Sequence, residues 1–326
     1  MVIGLGDLLV SVVAAFLATL IPGPFVISWL KRRFRERISS DSRRLDELHA
    51  AKQGTPTMGG VLMTAGAMAG ILVCPSASLG WTVRCQAITC LLGFSALGIC
   101  DDYTKAVSGR KGLTVLQKLT GQLVLAGILG VWLGWSQWPQ SGQGGGSSAP
   151  LWPLVIWTMF WVAGGSNAVN LTDGLDGLAA GSVVLSGAAL AVVIWIRTER
   201  AEWCVMPAVL AGTSAGFLWY NRHPARVFMG DTGALPLGAV LGLCTVAAGV
   251  ELGMVLSGLV FVVELMSVVL QVMWYRRTRR RLLLCSPLHN HFVFAGVPEQ
   301  KIVRGFWLIG VISGTTAVCL AVWQLT

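Results

Sequence analysis

Asn167-Ala168-Val169-Asn170-Leu171-Thr172-Asp173-Gly174-Leu175-Asp176-Gly177-Leu178-Ala179 joins two apolar runs, 151–170 and 177–196, each long enough to cross a bilayer. Almost no loop separates them. A carboxylate beside hydrocarbon costs about 2.5 kcal/mol or more to desolvate, so Asp173 and Asp176 are functional candidates by position alone. They call for cationic partners, of which a divalent metal is the natural one. Three residues apart, they would share one face of a helix beginning there, close to its anion-favouring N-terminus.

The rest of the chain extends this pattern. Of its 326 residues 54% are hydrophobic and only 12% charged, about half the charge of an ordinary soluble protein. Apolar runs at 2–21, 59–79, 84–100, 119–138, 151–170, 177–196, 203–220, 232–250, 252–275 and 303–324 predict an all-α integral membrane protein of ten transmembrane helices. No linker divides two independent apolar cores, so residues 1–326 read as a single polytopic domain. The low-complexity stretch 141–150 reads as a flexible connector.

Orientation follows from Lys and Arg, which accumulate on the cytoplasmic side of short loops. Alternate loops (31–58, 101–118, 171–176, 221–231 and 276–304) carry 21 of the 24 basic residues, leaving Arg84, Arg197 and Arg200 for the other face. Both termini are therefore expected to be periplasmic and those five loops cytoplasmic. The first run lacks a basic leader and is followed by Lys31, Arg32 and Arg33, as in an uncleaved signal anchor. The net charge of +9 points to membrane lipid or an anionic substrate, not to nucleic acid. Eight scattered cysteines without a Cys-x-x-Cys pair read as packing residues.

Every polar constellation falls on the predicted cytoplasmic side. His49 and Lys52 precede Gly54-Thr55-Pro56-Thr57-Met58-Gly59-Gly60, where Lys52 suits a phosphate and the glycines let backbone approach a ligand. Asp101-Asp102 ends the third run, with Lys105 and Lys118 following. Adjacent like charges there need a metal or a lysine to neutralise them. Asn221-Arg-His223-Pro-Ala-Arg226-Val-Phe228-Met-Gly230-Asp231 offers an aromatic face for a base and a fifth carboxylate. Pro287-Leu288-His289-Asn290-His291 follows a basic run, and on an extended segment its two histidines would point opposite ways, which disfavours a shared zinc. Glu264, inside the ninth run, reads as a structural hydrogen-bonding residue. Five aspartates with lysines at one membrane face suit Mg2+-assisted phosphoryl transfer. A transporter would instead carry its acids near the midplane.

In order, Lys52-x-Gly54-Thr55-Pro56-Thr57-Met58-Gly59-Gly60, Asp101-Asp102, Asn167 to Ala179, Phe228-Met229-Gly230-Asp231-Thr232-Gly233 and Pro287-Leu288-His289 resemble the polyprenyl-phosphate N-acetylhexosamine-1-phosphate transferase superfamily. The first and last of these elements resemble its phospho-N-acetylmuramoyl-pentapeptide transferase branch rather than the branches using UDP-GlcNAc. The resemblance implies a homodimer of ten-helix subunits in the bacterial inner membrane. The implied reaction is the first membrane step of peptidoglycan synthesis: phospho-MurNAc-pentapeptide passes from UDP-MurNAc-pentapeptide to undecaprenyl phosphate, giving lipid I and UMP, with Mg2+. Asp231 then matches the Mg2+ ligand and Asp101 and Asp102 the catalytic pair. Lys52, Asn170, Asp173, Asp176, Asn221 and Phe228 match the uridine diphosphate pocket, and Lys118 and His289 further active-site positions. The chain departs from the family in its last loop. Where the family has three consecutive histidines and then Phe-Glu, this sequence has His289-Asn290-His291-Phe292-Val293.

Overall fold

Pro22 and Pro24 decide how the first apolar run ends. The computed structural model describes residues 3–34, 52, 54–75, 77–108, 112–141, 150–198 and 200–324, and its regular elements are all helices. His49 and most of the 141–150 connector lie outside the described residues. The first run is a helix, α1 (Leu5–Leu20), followed by α2 (Gly23–Arg33), with a 43° bend at the intervening proline. Proline removes a backbone donor and clashes with the preceding turn, which is sufficient cause for the bend.

Beyond this pair come α3 (Gly60–Val73), α4 (Trp81–Ser108), α5 (Val115–Ser141), α6 (Trp152–Thr172), α7 (Leu178–Arg197), a 3-10 turn leading into α8 (Val205–Asn221), α9 (Asp231–Ala248), α10 (Glu251–Ser257), α11 (Leu259–Thr278), α12 (Leu288–Phe294) and α13 (Glu299–Trp323). Among the described residues, eight helices are long and apolar enough to cross a membrane, or nine with the bent pair counted as one span.

Two of the ten predicted runs are shorter or broken. The run 59–79 contains only the 14-residue α3, because Pro75 follows and Arg84 takes the carbonyls at its end. Nη1 of Arg84 donates to Ile71 O at 2.8 Å and Leu72 O at 3.1 Å, and Nη2 donates to Cys74 O at 2.6 Å. Those carbonyls have no intrahelical donor, so the buried guanidinium closes the helix. The run 252–275 divides at Gly258 into α10 and α11.

α9 is the axis of the bundle: almost all of it is buried, chiefly between α4 and α6. Small residues permit that closeness, since a Cβ on Gly238 would overlap the backbone of Gly165 in α6. α1 packs on α3 and α8, α7 on α8 and α13, and α5 on α6. Side chains such as Leu9, Val13, Val124, Ile128, Leu308 and Ile312 remain outward and exposed, as lipid-facing positions do. A smaller apolar cluster of Leu175, Leu178, Val260, Ile302, Val303 and Phe306 lies beneath the α6–α7 turn and pins it.

Candidate active site at one end of the helix bundle

The turn between α6 and α7 corrects one expectation. No helix begins at Asp173, and Asp173 and Asp176 do not share a helical face. Asp173 is the C-cap of α6, donating its N–H to Asn170 O at 3.2 Å, and Gly177, at φ 78°, puts the chain in the left-handed region before α7 starts. Glycine adopts that conformation without steric cost, so the two helices are separated by a tight turn.

Antiparallel helices bring their site residues to the same end. Asp101 and Asp102 lie near the C-terminal end of α4, Asn170 in the last turn of α6 and Asn221 at the end of α8. Lys118, Asp231 and Glu299 lie in the first turns of α5, α9 and α13. Three buried carboxylates, Asp101, Asp102 and Asp231, meet with their oxygens within 4.8 Å of one another. Lys105 Nζ is 2.6 Å from Asp101 Oδ2, 3.5 Å from Asp231 Oδ2 and 3.8 Å from Asp102 Oδ1, while Lys118 pairs with Asp231 Oδ2. Asn170 Nδ2 donates to Asp231 Oδ1 at 2.7 Å. Leu113 N–H donates to Asp101 Oδ1 at 2.8 Å.

Asp102 is engaged differently from its neighbour. Its Oδ1 accepts the N–H of Asp231 at 3.2 Å and its Oδ2 accepts the N–H of Thr232 at 2.9 Å. These are N-terminal groups of α9 that lack intrahelical acceptors, so a carboxylate from α4 caps α9. Asp231 is the first residue of α9, with Gly230 as its N-cap.

A second cluster lies around Asp176. Lys52 Nζ is 2.8 Å from Asp176 Oδ1 and donates to Glu299 Oε1 at 2.6 Å. The same Glu299 oxygen accepts the N–H of Asp176 at 2.6 Å. Asp176 Oδ2 accepts from Ala225 N–H at 3.0 Å and stands 3.1 Å from His223 Nδ1. Asn221 Oδ1 accepts Gly177 N–H at 3.0 Å, and its Nδ2 donates to Val227 O at 2.9 Å. Phe228 is half-buried, and its segment joins the 56–60 segment by backbone bonds: Phe228 N–H to Pro56 O, Gly59 N–H to Phe228 O and Gly60 N–H to Met229 O, at 2.8–2.9 Å.

His289 is on the short helix α12 rather than an extended segment, and it is buried while His291 is not. Its Nδ1 is 3.1 Å from Glu264 Oε2. Asp173 belongs to neither carboxylate cluster. Glu299 is the residue that reading the sequence missed. Its signal was an acid directly after Pro298, at a helix start in an otherwise basic loop.

The donor set fits a small hard cation. Asp101, Asp102 and Asp231 supply only carboxylate oxygens, the ligand type of Mg2+, and two lysines leave three anionic groups incompletely balanced.

Buried carboxylates paired with lysines at one end of a bundle of apolar helices give a polytopic membrane protein with one polar site, and the class is that of a transferase: the sequence model of glycosyl transferase family 4 matches residues 85–249, from α4 through α9. A phospho-N-acetylmuramoyl-pentapeptide-transferase signature matches residues 52–62. Curated relatives with that transferase name include proteins from Desulforamulus reducens, 40% identical over 90% of each chain, and Desulforudis audaxviator, 41% identical over 93% of this chain and 95% of the relative. Another, from Geobacillus kaustophilus, is 36% identical over 97% of this chain and 98% of its own. The chain belongs to the phospho-N-acetylmuramoyl-pentapeptide-transferase family.

Proposed function

We propose that this protein transfers phospho-MurNAc-pentapeptide from UDP-MurNAc-pentapeptide to undecaprenyl phosphate, releasing UMP and forming lipid I at the cytoplasmic face of the bacterial inner membrane. The observation that carries this reading is the meeting of Asp101, Asp102 and Asp231 with Lys105 and Lys118 beside the Lys52–Asp176–Asn221 cluster. One cluster suits reacting phosphates, the other a nucleotide.

An oxygen of the lipid phosphate attacks the β-phosphorus of the donor. The new O–P bond forms as the bridging P–O bond breaks, and that electron pair leaves on UMP. Mg2+, when bound through Asp231 and its carboxylate neighbours, would neutralise the diphosphate and act as Lewis acid. Lys105 and Lys118 hold the carboxylates and add positive charge where phosphate charge builds. Asp101 orients the attacking phosphate. A phosphate monoester is largely dianionic at pH 7, so little base catalysis is needed. Lys52, Asp176 and Asn221 stand on the nucleotide side, with Phe228 available to stack on uracil. Asn170, which the resemblance also assigned to that pocket, instead bonds Asp231, and Asp173 lies on the turn between the two clusters.

The same reading takes α3 as the tenth span of a single domain, places both termini outside and makes the working unit a homodimer. The loop charges support the orientation. Purified protein in lipid nanodiscs, given undecaprenyl phosphate, Mg2+ and either UDP-MurNAc-pentapeptide or UDP-GlcNAc, should release UMP with the first. Turnover with UDP-GlcNAc alone would overturn the choice of donor. A burst of UMP without the lipid acceptor would replace direct attack by a covalent two-step route.

A further inference from the structure

Glu264 and His289 form a buried pair in which the second ring nitrogen of His289 has no hydrogen-bond partner among the described residues. Glu264, on α11, is wholly buried, and His289 is 1% exposed. The carboxylate receives His289 twice: Oε1 accepts the backbone N–H at 3.1 Å, and Oε2 stands 3.1 Å from Nδ1. With the carboxylate accepting, as it does from the His289 backbone N–H, the hydrogen between Oε2 and Nδ1 would belong to Nδ1. The other ring nitrogen, Nε2, is buried and makes no hydrogen bond among the described residues. A buried polar atom without a partner is costly and signals a group awaiting one.

Nε2 lies against Gly174. A Cβ on that residue would overlap Nε2 and stand 2.8 Å from Cε1, so only glycine lets the imidazole come so close. Gly174 lies within a segment whose Asn170 end holds Asp231 and whose Asp176 end holds Lys52. His289 Nε2 therefore lies directly beneath the segment that joins the two clusters.

We propose that Glu264 is a positioning residue: it fixes the orientation and Nδ1–H form of His289, so that Nε2 meets the diphosphate of the nucleotide-sugar donor. This rests on the reaction proposed above. In that contact both ring nitrogens donate, and the Glu264 carboxylate balances the resulting imidazolium. A carboxylate behind a histidine sets tautomer and direction without touching substrate. Glutamine at 264 would offer one acceptor and one donor to two donors, which breaks the arrangement with almost no change of volume.

The test uses the full chain in nanodiscs. E264Q should lower kcat about 10- to 100-fold, the range seen when an outer-shell partner is lost, with the donor KM moving less than about threefold. The double variant E264Q/H289N should be no slower than H289N alone, because the carboxylate acts only through the ring. The chain has four histidines, so 15N-histidine labelling gives a readable spectrum. It should show Nδ1–H at His289 in the wild type and lose that signature in E264Q. A kcat within twofold of wild type for E264Q, losses that multiply in the double variant, or an Nδ1 without hydrogen in the wild type would each overturn the proposal. If the wild type releases no UMP, the proposed reaction fails, and the imidazole spectrum alone still decides the role of Glu264.

Discussion

Asp102 Oδ2 accepts both the backbone N–H of Thr232, at 2.9 Å, and its hydroxyl, at 2.7 Å. One carboxylate thus caps the helix whose first residue is Asp231, and it does so from a different helix. Asp102, expected from the resemblance to belong to the catalytic pair, also holds the helix end that carries Asp231. Asp102→Ala leaves buried donors unsatisfied at about 1–3 kcal/mol each. Its melting temperature in detergent should fall clearly below that of Asp101→Ala, which removes one backbone bond and an ion pair to the partly exposed Lys105. Equal melting temperatures would refute the capping role.

Asn170 fixes Asp231 through a single amide hydrogen bond at 2.7 Å. Asn170→Ala should raise the Mg2+ concentration giving half-maximal UMP release by about 10-fold or more, as loss of such supporting partners does elsewhere. Chelation should abolish release in wild type and variant alike, and added Mg2+ should restore it. An unchanged Mg2+ requirement in the variant would count against Asp231 as ligand.

Glu299 holds Lys52 and the backbone of Asp176 with one oxygen. Hydrogen bonds to charged groups contribute about 1.5–3 kcal/mol, so Glu299→Ala should raise the KM for the nucleotide-sugar roughly 10-fold. The KM for the lipid phosphate should hardly change. Glu299→Gln, which keeps an acceptor, should fall between the two. Equal changes in both KM values would show that Glu299 serves the fold rather than the nucleotide pocket.

Gly238 faces Gly165 where α9 crosses α6, with no room for a Cβ. Gly238→Ala forces the two backbones apart, an overpacking penalty of about 1–3 kcal/mol. Thermal unfolding should register it. Gly305→Ala, at a position with open space around it, should leave stability near wild type and serves as the comparison.

The helical class was legible because uninterrupted apolar runs leave the backbone few alternatives in a membrane. Where the runs stop was less legible. Arg84, which ends α3, looks in sequence like a stray charge on the outer face, and only its three-dimensional reach to the carbonyls of residues 71, 72 and 74 explains the short helix. The site residues themselves could be named because charges beside hydrocarbon are scarce. Their divisions of labour could not. The Asp101–Lys105 pair is a local i,i+4 contact within α4, but that Asp102 caps α9, or that Glu299 reaches Lys52 across 247 positions, depends on contacts between elements that no local pattern encodes.

The three main-chain hydrogen bonds joining residues 56–60 to 228–229 involve no side chain at all. Lys52 and Asp231 stand at the two ends of this zipped pair, so any shift of one segment drags the other with it. The segment that follows Lys52 and the one that leads into Asp231 are therefore fastened main chain to main chain, a join that substitution of surrounding side chains leaves intact.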